Sequence, residues 1–353
     1  MEIKITKAEV LKEKPASDKL GFGKYFTDHM FLADYSKEEG WHDHRIVPYG
    51  NLSLSPASTT LHYGTEIFEG MKAYRRPDGG IQFFRPLENA RRLNRSCDRL
   101  CLPEFPEEDF MEALKTLVTL DQDWVPSEPN TSLYIRPFLF GNDESLGVHA
   151  VNHATFVIIL SPVGSYYKEG LNPVKIMIED QDVRAVRGGT GEAKCGGNYA
   201  ASNRAGDRAE KKGYSQVLWL DGVERKYIEE VGAMNVMFKI NGTVVTPKLT
   251  GSILPGITRK SIVELLKHEG YKVEERLLSL DELAQSMADG TLEEAFGCGT
   301  AAVVSPIGEL MYKDQVYVVN NGEIGPLTQH LYDTLTAIQW GKAEDPFNWV
   351  VRL

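Results

Sequence analysis

The sequence predicts a mixed α/β or α+β fold in two domains, on three observations. Its 353 residues exceed what a single hydrophobic core usually encloses. Strand-like and helix-like segments occur in both halves without a regular strand–helix–strand alternation. A stretch of turn formers without periodicity, Ser161-Pro162-Val163-Gly164-Ser165-Tyr166-Tyr167-Lys168-Glu169-Gly170, separates the halves. The domains are therefore placed at residues 1–163, the smaller, and 174–353, the larger, with a linker over 164–173.

In the first half, Asn51 to Ser55 alternates apolar and polar residues and reads as a strand. Thr65 to Arg75 and Ile81 to Arg85 read as strands joined through the turn Pro77-Asp78-Gly79-Gly80. Amphipathic helices follow over Leu87 to Leu100 and Glu107 to Leu120, then strands at Thr131 to Phe140 and Ala154 to Leu160. In the second half a strand at Val174 to Ile178 precedes a helix from Asn198 to Lys212, with Ala201, Ala205 and Ala209 at four-residue spacing. Asn241-Gly242 joins the strands Val236 to Ile240 and Thr243 to Thr246, a strong hairpin signal. Helices are predicted from Thr258 to His268, from Ser279 to Asp289 with Ser279 and Glu282 at capping-box spacing, and from Pro326 onward.

Composition narrows the partners. Lys and Arg number 39 against 50 Asp and Glu, a formal net charge of -11 that repels phosphate backbones and anionic lipid. Neither nucleic acid nor membrane is expected as a partner, and no apolar run approaches the roughly 18 residues of a spanning helix. Met1 to Glu9 alternates charged with apolar residues and lacks the apolar core of a secretory signal, so a cytoplasmic protein is expected. The four cysteines, at 97, 101, 195 and 298, are too scattered for a disulfide scaffold or a paired-cysteine zinc site, and no metal is expected.

Three segments could carry chemistry. Gly188-Gly189-Thr190-Gly191-Glu192-Ala193-Lys194-Cys195-Gly196-Gly197 hems a lysine between glycines, which let backbone approach a flat ligand while a partly desolvated lysine supplies a reactive amine. Gly297-Cys298-Gly299-Thr300-Ala301-Ala302 formally matches a dinucleotide site, but Val303-Val304-Ser305-Pro306 reads as strand and turn where that site needs a helix. It remains a small-residue loop able to offer N–H groups to an anion. Leu254-Pro255-Gly256-Ile257-Thr258-Arg259 enters a helix, whose first turn is a natural phosphate seat.

Together with Tyr227-Ile228-Glu229-Glu230-Val231-Gly232-Ala233-Met234-Asn235 these segments resemble, in order and spacing, the branched-chain aminotransferases, pyridoxal-phosphate enzymes of fold type IV related to D-amino-acid aminotransferase. Phe68-Glu69-Gly70-Met71-Lys72-Ala73, Leu133-Tyr134-Ile135-Arg136-Pro137 and Ser145-Leu146-Gly147-Val148 extend the likeness through the first half. The resemblance implies a cofactor, pyridoxal 5'-phosphate, held between the domains. It also implies a ping-pong exchange of amino groups between leucine, isoleucine or valine and 2-oxoglutarate, so the partners are small amino and 2-oxo acids.

By the same resemblance Lys194 bonds the cofactor aldehyde and then moves the substrate proton. Glu230 matches the carboxylate at the pyridine nitrogen; adjacent Glu229 is its rival, and only the register of Glu-Val-Gly-x-Met-Asn selects between them. Tyr199 matches a ring-oxygen contact. Arg92, amid Arg91 and Arg95, falls where the family places a phosphate arginine, with Ile257, Thr258 and Thr300 as further phosphate contacts. The substrate α-carboxylate is expected on Ala301, Ala302 and Tyr134, and a second carboxylate on Arg136. Phe26, Tyr63, Phe68 and Tyr166 form the candidate aromatic wall. Tyr63 and Val148 match positions supplied by a neighbouring subunit, which makes a homodimer part of the expectation. Some relatives carry a Cys-x-x-Cys pair after the Gly-Thr-Ala triplet; here Ala302 and Ser305 stand there, which excludes thiol control at that place.

Overall fold

The computed structural model describes residues 1–164 and 171–353 as two compact units, of mixed α/β architecture. The first holds residues up to 164 with Ala193–Gly196 and Ala337–Leu353; the second holds residues 171–192 with Gly197–Thr336. Most of the predicted linker at 164–173 lies outside the described residues. Two stretches of the range 174–353 pack with the first unit, for visible reasons. The Val350–Arg352 strand pairs with Ile81–Phe84, and the Gln82 amide donates to the carbonyls of Ile338 and Gln339. The Ala193–Gly196 stretch is held at Lys194, whose N–H donates to Ser96 Oγ at 2.9 Å and whose carbonyl accepts the Phe68 N–H at 2.9 Å.

The first unit is built on a sheet that is antiparallel except where Lys4–Ile5 joins Gly40–Pro48 in parallel. Its centre is the pair Ser132–Gly141 and His153–Val163, in continuous register from Ser132 against Val163 to Gly141 against Ala154. The helices Pro86–Leu100 and Glu107–Leu120 cover one face, packing Leu93, Cys97, Phe110, Leu114 and Leu117 against Phe31, Phe83, Phe156 and Ile158. The other face carries a smaller cluster, Met30, Leu32, Phe140 and Val157. Asn51 to Ser55 forms no strand; half-buried Leu54 packs on that cluster while Leu52 is exposed, so the alternation marks neither a hydrogen-bonded ladder nor a buried face.

In the second unit, the strands Ile228–Val231, Gln216–Leu220, Val174–Glu179, Val303–Tyr312, Leu292–Gly299 and Met234–Ile240 pair in that order. Met234–Ile240 also pairs back onto Ile228–Val231, closing a small barrel. Closure removes the free edges that an open sheet would expose. The Asn241-Gly242 hairpin forms, with Ile240 opposite Thr243 and both turn residues at positive φ. The helix expected over Asn198 to Lys212 is two pieces, Gly196–Ala200 and Asn203–Lys211. At the break the Ser202 hydroxyl donates to the Tyr199 carbonyl at 2.6 Å, a local bond that competes with the helical ladder. Buried Ala205 and Ala209 lie in the second piece; Ala201 is exposed. Ser279 caps its helix as the capping-box spacing predicts, accepting the Glu282 N–H. No helix among the described residues is long and apolar enough to cross a membrane.

Candidate active site

In the first unit the short Glu66–Phe68 strand runs antiparallel beside Ser132–Gly141, with Phe68 opposite Phe138. Alternation places Tyr134, Arg136 and Phe138 on one face of that strand, and Phe68 shares it. Two cations converge on the Phe68 ring: Lys194 Nζ at 4.7 Å and the Arg136 guanidinium carbon at 4.8 Å from its centroid. Arg136 also lies 5.4 Å from the Tyr134 ring centroid, its Nη2 3.5 Å from the hydroxyl oxygen. Its Nε is buried without an acceptor, and no carboxylate pairs with the guanidinium among the described residues.

Burial separates the neighbouring arginines. Arg91 is exposed and pairs with Glu88 and Glu107, Arg95 is exposed, and Arg92 is buried. Arg92 meets Glu69 through Nε at 2.7 Å and Nη2 at 2.8 Å, a buried two-pronged pair. Glu69 also accepts from Asn89 Nδ2 at 2.8 Å and from the Gly70 N–H at 3.2 Å. Burial pushes the Glu69 carboxyl up, but the charge and hydrogen bonds of Arg92, with Lys194 and Asn89, outweigh it and hold the carboxyl below its ordinary value. Lys72, opposite Tyr134 in the sheet, is a second buried amine, and burial pulls its ammonium down to about 8.

In the second unit Glu229 and Glu230 are adjacent and both buried, and both reach the Ser252–Leu254 stretch. Glu230 Oε1 accepts from Arg184 Nη2 at 3.1 Å and from the Leu254 N–H at 2.7 Å. Glu229 takes the Ser252 hydroxyl; burial pushes its carboxyl up, with Ser252 and Arg184 opposing. Register then ties Glu230 to the other small-residue segments. Glu230 lies opposite Asn235, which lies opposite Cys298, and Asn235 Nδ2 donates to the Leu254 carbonyl at 2.9 Å. A Cβ at Gly256 would overlap Asn235, so glycine is required where the chain enters the helix Ile257–His268. Thr300, Ala301 and Ala302 form the turn between Leu292–Gly299 and Val303–Tyr312.

That helix start tests whether the residues present suit a phosphate. Gly256 supplies no side-chain cap, and the buried N–H groups of Ile257 and Thr258 have no acceptor among the described residues. Unpaired buried amides at a twelve-residue helix's positive end fit an anion. Within the same unit buried Glu230 adds a carboxylate able to hold a ring nitrogen's proton, so these residues suit a phosphorylated pyridine.

The remaining candidates have the following local surroundings. Phe26 stacks on Tyr49 with centroids 4.9 Å apart. Tyr63 and Val148 are exposed, and the Tyr63 hydroxyl donates to the Leu146 carbonyl. Tyr199 is half-buried in the short Gly196–Ala200 helix. Tyr166 lies outside the described residues. The sequence reading assigned nothing to Glu66, Glu69, Arg184 or Ser252. Glu69 stood inside the Phe68-to-Ala73 motif, where a carboxylate before glycine was the available signal; Arg184 and Ser252 had none, because only tertiary contacts select them.

The family described as amino-transferase class IV matches residues 66–310, which takes in the segments of both units described above. The chain is 55% identical over 351 residues to branched-chain-amino-acid aminotransferase 2 of Bacillus subtilis (strain 168), covering 99% of this chain and 97% of that protein. Among solved structures, the branched-chain amino acid aminotransferase of Escherichia coli aligns with a TM-score of 0.76 at 29% identity, covering 92% of this chain and 98% of that one. The T.th. branched-chain amino acid aminotransferase with pyridoxamine 5'-phosphate aligns at 0.75 and 27%, covering 91% and 97%. The same enzyme complexed with N-(5'-phosphopyridoxyl)-L-glutamate aligns at 0.73 and 26%, over the same shares. The chain belongs to the branched-chain-amino-acid aminotransferase family within class IV.

Proposed function

We propose that the residues gathered in the two units divide the work of branched-chain amino-acid transamination as follows. The chain catalyses that transamination with pyridoxal 5'-phosphate as cofactor, acting on amino acids and 2-oxo acids. When bound, the cofactor supplies an aldehyde for the amino group and a ring that accepts the electrons left when the α-proton departs. Lys194 Nζ carries the amine that holds the aldehyde and afterwards takes and returns that proton. Glu230, charge-paired with Arg184, faces the ring nitrogen and keeps its proton in place. The N–H groups of Ile257 and Thr258, the Thr300 hydroxyl and Arg92 hold the phosphate, and Tyr199 orients the ring oxygen. Glu69 aims Arg92 by gripping two of its nitrogens.

The substrate α-carboxylate meets the Ala301 and Ala302 N–H groups and Tyr134. Phe68, Phe26, Tyr63 and Tyr166 give the side chain an apolar wall. The observation that carries this reading is Arg136, a cation over Phe68 beside Lys194 with no carboxylate at ion-pair distance among the described residues. Such a cation accepts the distal carboxylate of glutamate or 2-oxoglutarate beside a wall that takes leucine, isoleucine or valine. A homodimer is part of this proposal. Leu61, Tyr63, Leu146 and Val148 are all exposed, an apolar set that suits burial against a second copy. A cytoplasmic location suits the net charge and thiol content.

A coupled assay with leucine, D-alanine and aminodeoxychorismate side by side, 2-oxoglutarate as acceptor, tests the reading. Leucine should be consumed fastest. A faster D-alanine or lyase reaction would overturn the substrate assignment, and a monomer by sedimentation would overturn the dimer.

A further inference from the structure

Glu66 has no role in the reading above, yet it stands at the junction of its two main elements. It begins the Glu66–Phe68 strand, two residues before Phe68, and therefore shares the face on which Arg136 and Lys194 converge. Its Oε1 accepts the N–H of Gly196, two residues past Lys194, and a Cβ at Gly196 would overlap that carboxylate. Glu66 and Glu69 divide the cations between them. Glu69 responds to Arg92 and Lys194, whereas the charge acting on Glu66 is Arg136. Burial holds the Glu66 carboxyl above its ordinary value, and the Gly196 N–H and Arg136 draw it only part of the way back.

We propose that Glu66 is a specificity-determining residue, the resident counter-charge of Arg136 that offsets the guanidinium when an apolar side chain is bound and yields it when a dicarboxylate arrives. This rests on the reading of Arg136 as the distal-carboxylate site. An arginine left uncompensated beside a leucine side chain raises the free energy of that complex. A fixed carboxylate on the same face lowers that cost, and for the same reason repels an incoming γ-carboxylate. One charge thus holds the two substrate classes closer in affinity than Arg136 alone would allow.

The test is equilibrium binding of two unreactive probes, glutarate and 4-methylpentanoate, to the holoenzyme by calorimetry. Glu66→Gln keeps an oxygen for the Gly196 N–H and removes only the charge. Glutarate should bind roughly two- to fivefold tighter and 4-methylpentanoate roughly two- to fivefold weaker, the range of a partly screened charge pair. Glu66→Ala, which also drops the Gly196 contact, should show the same opposed shifts with slower turnover of both substrates. A purely structural Glu66 would move both probes in one direction or neither, which overturns the proposal. Arg136→Met separates the two readings. If it weakens glutarate selectively while Glu66→Gln produces no opposed shift, Glu66 alone is misassigned. If it leaves glutarate untouched, the reading of Arg136 falls and the Glu66 proposal falls with it.

Discussion

Each unit buries an arginine against a glutamate, and the two pairs are saturated from opposite sides. In the first unit the glutamate is the saturated member: Glu69 takes two nitrogens of Arg92, the Asn89 amide and the Gly70 N–H. In the second the arginine carries the extra ties, since Arg184 Nη2 is shared among the carbonyls of Gly191 and Ser252 and the carboxylate of Glu230. If, as proposed, Arg92 meets a phosphate and Glu230 a ring nitrogen, the comparison teaches that Glu69 and Arg184 are the groups that hold them in place.

The largest expected effect lies on the lysine the first unit pins at both backbone ends. Lys194→Ala should lose nearly all turnover together with the visible absorbance of bound cofactor. Retained absorbance would move the reactive amine to Lys72, the buried lysine opposite Tyr134. Next, Glu230→Gln should keep cofactor but lower kcat at least about a hundredfold, the scale of removing one aimed charge from the reacting system. Glu229→Gln should cost far less, because glutamine still accepts the Ser252 hydroxyl; reversed severities would break the assignment of Glu230.

Glu69→Gln sharpens the comparison through stability. Leaving buried Arg92 uncompensated should cost about 3–5 kcal/mol, read as a lower denaturation midpoint. The sign with pH follows from the lowered carboxyl. The stability Glu69 contributes is present in full above the ordinary glutamate value of 4.5 and is lost as pH falls through its folded-state value. The gap between wild type and Glu69→Gln should therefore narrow on acidification; a gap that widens would refute the pairing as the source of stability. Smallest, Arg136→Met should slow the glutamate half-reaction roughly ten- to a hundredfold in single-turnover kinetics, with a lesser loss for leucine. Equal losses would make Arg136 structural.

Local chemistry made much of this legible. The Asn241-Gly242 turn, the Ser279 cap and the Glu107–Leu120 helix need only neighbours within a few residues, so the sequence alone predicts them. The order and spacing of the lysine, glutamate and Gly-Thr-Ala segments likewise identified the family, because backbone approach and anion binding impose small residues locally. The Asn51-to-Ser55 alternation misled because period two over five residues is silent on whether a neighbouring strand exists to pair.

What only the tertiary structure decided concerns long-range partners. Arg91, Arg92 and Arg95 are equivalent in the sequence until burial selects Arg92, and its selection depends on Glu69, 23 residues away. Arg184 is one surface-like arginine among many until folding brings it to Glu230, 46 residues on. The order of the motifs thus carried the resemblance to the family, which implied its cofactor and the role proposed for Lys194. Which charges are paired, and so which remain available, was fixed by the fold, because the free energy of an ion depends on burial and on partners the local sequence does not contain.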